Sequence, residues 1–183
     1  NSWSVAIVAP TGSGKTVMMA QIGQHANMKL RRVLICVHLD VLVPQTADKL
    51  HKFGLAGEIG YIKSGYPENR DASIQVASIQ TLSRRRWWRD AGFDIIIFDE
   101  AHQTMFSGIG KRITSEIFPD AKIFGFTATP YRLSKREGLG DHLDELVAAP
   151  TPRQLQEIGR LAKMRYFGLG KDASPDLSRV RTV

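Results

Sequence analysis

The chain has 183 residues, with 25 Lys and Arg against 18 Asp and Glu, a formal charge of +7. At about 100 to 200 residues per domain this is one domain, and a composition of 43% hydrophobic and 23% charged residues excludes a disordered or fibrous chain. The single cysteine, Cys36, excludes a disulfide scaffold and a cysteine-built zinc site, and no apolar run approaches the roughly 20 residues that span a bilayer.

In chain order, Asn1-Ser2-Trp3-Ser4 lacks an initiator Met and any signal-peptide pattern, so the sequence reads as a cut fragment of a cytoplasmic protein kept in a reducing compartment. Short apolar runs then alternate with longer amphipathic ones. The predicted strands are Val5 to Ala9, Arg32 to Val37, Glu58 to Lys63, Ile74 to Ser78, Asp94 to Asp99 and Lys122 to Phe126; the predicted helices are Lys15 to Met28, Val41 to Phe53 and Met105 to Ile117, the last stopped by Pro119. This is the βαβ pattern of a three-layer α/β domain with a parallel sheet. Ile95-Ile96-Ile97-Phe98 is apolar on both faces and belongs mid-sheet. Beyond Pro130 the reading is a basic loop, a short helix around Asp141 to Val147, a helix over Thr151 to Lys163, a strand near Arg165 to Gly168 and a polar linker over Lys171 to Val183. From Thr151 on there are seven Lys or Arg against three acids, so the positive excess leans towards the C-terminal end.

Between the first strand and first helix stands Ala9-Pro10-Thr11-Gly12-Ser13-Gly14-Lys15-Thr16. Backbone amides can converge on a polyphosphate only where no Cβ obstructs them, which Gly12 and Gly14 allow. The helix start directs its dipole at the anion, Lys15 offers a point charge, and the Thr16 hydroxyl suits Mg²⁺. A turn with an incidental lysine is the bland alternative; the order strand, loop, Lys-Thr, helix argues for nucleotide binding. The first glycine of the generic pattern is replaced by Ala9.

Asp99-Glu100 follows the apolar run Ile95 to Phe98, at the strand end where α/β sheets hold ligands. Asp99 is suited to hold Mg²⁺ and Glu100 to deprotonate an attacking water. By itself such a pair could also be a helix cap with a first-turn acid, and a lone His102 could be a structural hydrogen bonder. Arg84-Arg85-Arg86-Trp87-Trp88-Arg89 interleaves cations with aromatics, as a single-strand-binding surface would; equally, tryptophans pack into cores, and at least one of the two is expected to do so.

With Gly-Ser-Gly-Lys-Thr, Asp99-Glu100-Ala101-His102 and Gly125-Phe126-Thr127-Ala128-Thr129-Pro130 in order, the chain resembles the first RecA-like, P-loop NTPase domain of superfamily 2 helicases of the DEAH type. The variant Thr-Ala-Thr-Pro and Gln75 to Leu82 look closest to type III restriction subunits and to phage or bacterial DNA-repair helicases. The resemblance implies ATP and Mg²⁺ as cofactors, with Pro10, Thr11, Gly12, Ser13, Gly14, Lys15 and Thr16 on the nucleotide, Thr16 and Asp99 on the metal, Glu100 as base, and His102 touching the Thr127 motif. It implies DNA as partner, bound independently of sequence through His38, Gln45, Ser64, Gly65, Gln80 and Thr81 and coupled to the nucleotide through Thr127 and Thr129. Lys63, Arg70, Arg84 and Arg132 would add charge, or simply keep the surface soluble. In His38-Leu39-Asp40-Val41-Leu42-Val43-Pro44-Gln45 two positions depart from the family's pattern: Leu39, where an arginine is common, and Pro44 inside the early helix. The resemblance further implies a motor domain over 1–150, an extension over 151–183 leading to a second RecA-like domain, and an adenine-reading element upstream, both expected outside this sequence. An RNA-directed helicase, the motor of a restriction complex and a non-motor ATP switch are the alternative readings.

Overall fold

A computed structural model describes residues 3–55, 57, 59–129 and 138–162. The strands are β1 (Ser4–Val8), β2 (Val33–Val37), β3 (Ile59–Ile62), β4 (Ile74–Ser78), β5 (Ile95–Phe98), β6 (Lys122–Thr127) and β7 (Glu145–Ala148), and they form one sheet in the order β3-β4-β2-β5-β6-β1-β7. Every pairing is parallel. The helices are α1 (Lys15–Met28), α2 (Leu42–Lys52), α3 (Ile79–Arg84), α4 (Ala101–Thr104), α5 (Gly108–Arg112) and α6 (Pro152–Glu157). The predicted three-layer α/β class and the central place of the Ile95–Phe98 strand are what the structure has. No helix of the described residues is long and apolar enough to cross a membrane.

Alternation along each strand builds two cores, one on each face of the sheet. Val33, Ile35 and Val37 of β2 pack with Met19 and Ala20 of α1 and with Val43, Ala47 and Leu50 of α2. Leu34 and Cys36 of the same strand face the other way, towards Leu82, Trp88, Met105, Ile109, Ile113 and Phe118. Pro44 sits in the first turn of α2, where its missing N–H costs no helical hydrogen bond.

Four expectations need correction. Met105 to Ile117 is not one helix: α4 and α5 are separate, and a π-helical turn, Ile113–Ile117, follows. Ser107 interrupts it, its hydroxyl accepting from the Gly110 amide at 3.0 Å to start α5 afresh. Asp141 to Val147 is not a helix but a 3₁₀ turn and β7, because the free edge of β1 offers parallel pairing partners such as Ile7 for Val147. Here tertiary pairing outweighs local preference. The Thr151 helix is shorter than expected, beginning with a Thr151–Gln154 capping box and closing at Gly159, whose φ is +70°. Helix α3 lies outside the predicted helices, and the run from Arg84 to Arg89 holds a 3₁₀ turn at Trp87–Asp90 with Trp88 packed into the core. The expected strand near Arg165 and the linker beyond Lys171 lie outside the described residues.

Candidate nucleotide and nucleic-acid site

Parallel register lines up the C-terminal ends of the strands along one sheet edge, Val8 opposite Thr127, Phe98 opposite Gly125 and Cys36, and Val37 opposite Ser78. The functional candidates on the described residues belong to this edge, with the phosphate loop after β1, Asp99 and Glu100 after β5, Thr127 and Thr129 after β6, and His38, Ser64 and Gln80 after β2, β3 and β4.

The loop is shaped for an anion. Gly12 and Gly14 have φ of +81° and +94°, which L side chains rarely adopt, and a Cβ on Gly14 would meet nothing within 4 Å. Ala9 is fully buried and has no positive φ, so the sheet tolerates a methyl group where the generic pattern has glycine. Its amide donates to the Thr127 carbonyl at 2.8 Å, tying the loop's base to β6. No side chain caps the start of α1, so its first-turn amides face outwards. The Ser13 hydroxyl is buried without a hydrogen-bond partner. Lys15 Nζ donates to the Ala9 carbonyl at 3.1 Å, a neutral acceptor that a phosphate oxygen would outcompete. These features fit a nucleotide polyphosphate.

Thr11, Gly12, Gly14, Lys15, Thr16, Asp99 and Glu100 line one cleft of about 470 Å³, so the structure brings the predicted loop and acidic strand end together. Burial pushes the Asp99 carboxyl up from its ordinary value, helped by the charge of Glu100 and opposed by the Glu100 amide, Lys15 and Lys49. Glu100 is held at φ +48°, in the left-handed region, a strain that the surrounding structure must impose. Among the described residues no group of three or more His, Cys, Asp or Glu could hold a metal. Thr16 and Asp99 would hold Mg²⁺ together with phosphate oxygens, a mode usual for this ion.

His102 reaches the next strand as expected, with Nδ1 2.9 Å from Thr127 Oγ1. The Thr127 hydroxyl donates its one proton to the Thr129 carbonyl at 2.8 Å and accepts from the Thr129 amide at 3.1 Å. His102 Nδ1 is therefore the donor, and its Nε2 accepts from the Gln103 amide at 3.2 Å. Glu100 Oε2 lies 3.5 Å from the same Nδ1, so the carboxylate neighbours the His102–Thr127 hydrogen bond without sharing it.

On the other half of the edge, His38, Gln45, Ser64, Gly65 and Gln80 are exposed. Thr81 is buried, and its hydroxyl donates to Asp40 Oδ1 at 2.8 Å, as the Ser78 hydroxyl also does. Thr81 therefore fixes the edge, with its hydroxyl already committed inside the protein. The basic-aromatic run divides. Trp88 is fully buried and donates to the Arg85 carbonyl at 2.8 Å, while Arg85 binds Glu68 at 2.7 Å. The Arg70 guanidinium lies 5.0 Å from the Trp87 ring centroid, and Arg84 and Arg86 are exposed. Arg132 lies outside the described residues. Sequence reasoning missed Asp40 as an anchor, and it missed Lys49, Lys52 and Phe53, which also line the cleft. The i, i+3 spacing of the two lysines announced a shared helix face but not what that face meets.

The model of the family described as type III restriction enzyme, res subunit, matches residues 2–132. A 51.5 kDa protein of Lactococcus phage (isolate 7-9) is 31% identical over 180 residues, covering 96% of this chain and 34% of that protein. The chain thus spans about a third of this relative's length. The crystal structure of the UvsW helicase from bacteriophage T4 superposes with a TM-score of 0.67 at 19% identity, over 80% of this chain and 54% of that one. A nuclease-deletion mutant of the Type ISP restriction-modification enzyme LlaGI, in complex with a DNA substrate mimic, superposes with a TM-score of 0.62 at 17% identity, over 86% of this chain and 19% of that one.

Proposed function

Since the chain belongs to the type III restriction enzyme res subunit family, we propose that it is the ATP-hydrolysing motor domain of a DNA helicase or translocase. The observation that carries this is the single cleft shared by the loop of Gly12 to Thr16 and the carboxylates of Asp99 and Glu100. Lys15 and the first-turn amides of α1 would hold the outer phosphates. Thr16 and Asp99 would hold Mg²⁺, which when bound neutralises charge developing on the transferred phosphoryl group. Glu100 would orient the attacking water and take its proton.

The series Glu100, His102, Thr127, Thr129 starts at the proposed base and runs from the end of β5 to the end of β6, so a change at the nucleotide would be felt in the segment after β6 through it. DNA would be held by exposed His38, Gln45, Ser64, Gly65 and Gln80, groups suited to phosphates and therefore indifferent to sequence. The likeness to a DNA-bound restriction enzyme supports DNA as the polymer. We assign the motor domain to 1–150 and the segment 151–183 to the path towards a second RecA-like domain that completes the ATP site, in a cytoplasmic protein of DNA repair, replication or recombination.

The test is ATP turnover by the chain extended through that second domain, with single-stranded DNA, duplex DNA or RNA added. DNA-stimulated hydrolysis lost in Lys15→Ala and Glu100→Gln is the expected result. Stimulation by RNA alone would overturn the assignment of DNA, and undiminished turnover in Lys15→Ala would overturn the site. The 183 residues alone are expected to turn over slowly or not at all.

A further inference from the structure

The nucleotide cleft has a wall that its motifs do not supply. Lys49, Lys52 and Phe53, from the end of α2, line the same space as Lys15, Asp99 and Glu100. Without α2, the cleft would set one ammonium against two carboxylates, and a triphosphate entering it would meet a negative surplus. Lys49 and Lys52 reverse that balance. Three residues apart, they share one face of the helix. Neither forms an ion pair among the described residues, so both ammonium groups are available to an anion.

We infer that Lys49 and Lys52 form a second cationic arm of this cleft that binds the phosphates of the nucleotide. The inference rests on the nucleotide reading above. The competing role is local. Basic residues in the last turn of a helix complement its dipole, and that role would affect melting but not ligand affinity.

The experiment measures binding of Mg·ADP, a non-hydrolysable Mg·ATP analogue, inorganic tripolyphosphate and AMP to the 183-residue chain by calorimetry at two salt concentrations. Replacing both lysines by alanine is expected to weaken the ATP analogue and tripolyphosphate about tenfold, to leave AMP within about twofold, and to flatten the salt dependence. Lys49→Arg with Lys52→Arg should restore affinity, and circular dichroism should show the fold unchanged, since both side chains are exposed. Affinities within about twofold of the parent for every ligand, with Lys15→Ala still abolishing binding, would overturn this inference and leave the nucleotide reading standing. No binding by the unsubstituted chain, repeated in the chain extended through the second domain, would overturn both.

Discussion

Asp40→Ala removes a carboxylate that ties the end of β2 to the start of α3, beside the sheet pairing of Val37 with Ser78. Asp40 Oδ1 accepts from the hydroxyls of Ser78, which is fully buried, and Thr81, which is 5% exposed. Without the carboxylate both donors are left in the interior, at about 1–3 kcal/mol each. Ser78 keeps its role as acceptor for the Thr81 amide, so α3 retains its cap. The expected loss is about 3 kcal/mol at neutral pH, or a fall in Tm of about 10 °C for a domain of this size. Asp40→Asn keeps an acceptor without the charge and should lose about 1 kcal/mol. The hydrogen bond from Ser78 holds the Asp40 carboxyl below its ordinary value, with Thr81, Lys63 and Arg84 adding to the effect and burial opposing it. A lowered carboxyl contributes stability above its unfolded pKa and loses it as the pH falls through the folded one. The gap between parent and Asp40→Asn should therefore close in the acid range below about pH 4. Urea melts from pH 7 to pH 3 measure both effects. An Asp40→Ala melt within about 0.5 kcal/mol of the parent at pH 7 would refute the anchor.

Three further outcomes are expected. Gly110→Ala should lower stability by about 3 kcal/mol, read by urea melts, because a Cβ there would run into the Thr104 carbonyl oxygen and stand 2.7 Å from that of Met105. A double-mutant cycle of His102→Ala and Thr127→Val should give a coupling of about 1 kcal/mol in stability, while nucleotide affinity stays near that of the parent and DNA stimulation of turnover is lost in either single variant. Asp99→Asn should raise Tm in the absence of nucleotide at neutral pH and make Tm less dependent on pH. The raised carboxyl favours the protonated fold, so ionised Asp99 destabilises the parent as the pH rises through its pKa. The same variant should lose the Mg²⁺-dependent part of ATP binding.

What the sequence made legible was local. The phosphate loop needs glycines and a following helix within eight consecutive residues, and Asp99-Glu100 needs only the strand before it. Both landed at the sheet edge because parallel strands leave all their C-terminal ends on one side. What stayed hidden depended on distant segments meeting. β7 forms because β1, some 140 residues earlier, has a free edge. Asp40 becomes an anchor only because β2 and β4 are neighbours, which their order along the chain does not reveal. Thr81, legible as a polar residue in a strand-contacting motif, proves to face Asp40 inside the protein.

On the proposed reading, the sheet order would let one domain couple nucleotide and DNA. β5 and β6 stand between β1, which carries the phosphate loop, and β2, which leads to the exposed His38 proposed to hold DNA. The Glu100–His102–Thr127 series crosses from β5 to β6, on the nucleotide half. The Asp40–Ser78–Thr81 cluster crosses from β2 to β4, on the other half. Asp99 joins the halves, its amide donating to the Cys36 carbonyl of β2 at 2.9 Å while its carboxylate lines the cleft. A shift of the loop after β5 on nucleotide binding would therefore pull on both neighbours at once. This predicts that Asp40→Ala, although remote from the cleft, reduces DNA stimulation of turnover more than it reduces nucleotide affinity. Equal losses in the two would mean that the substitution merely loosens the fold.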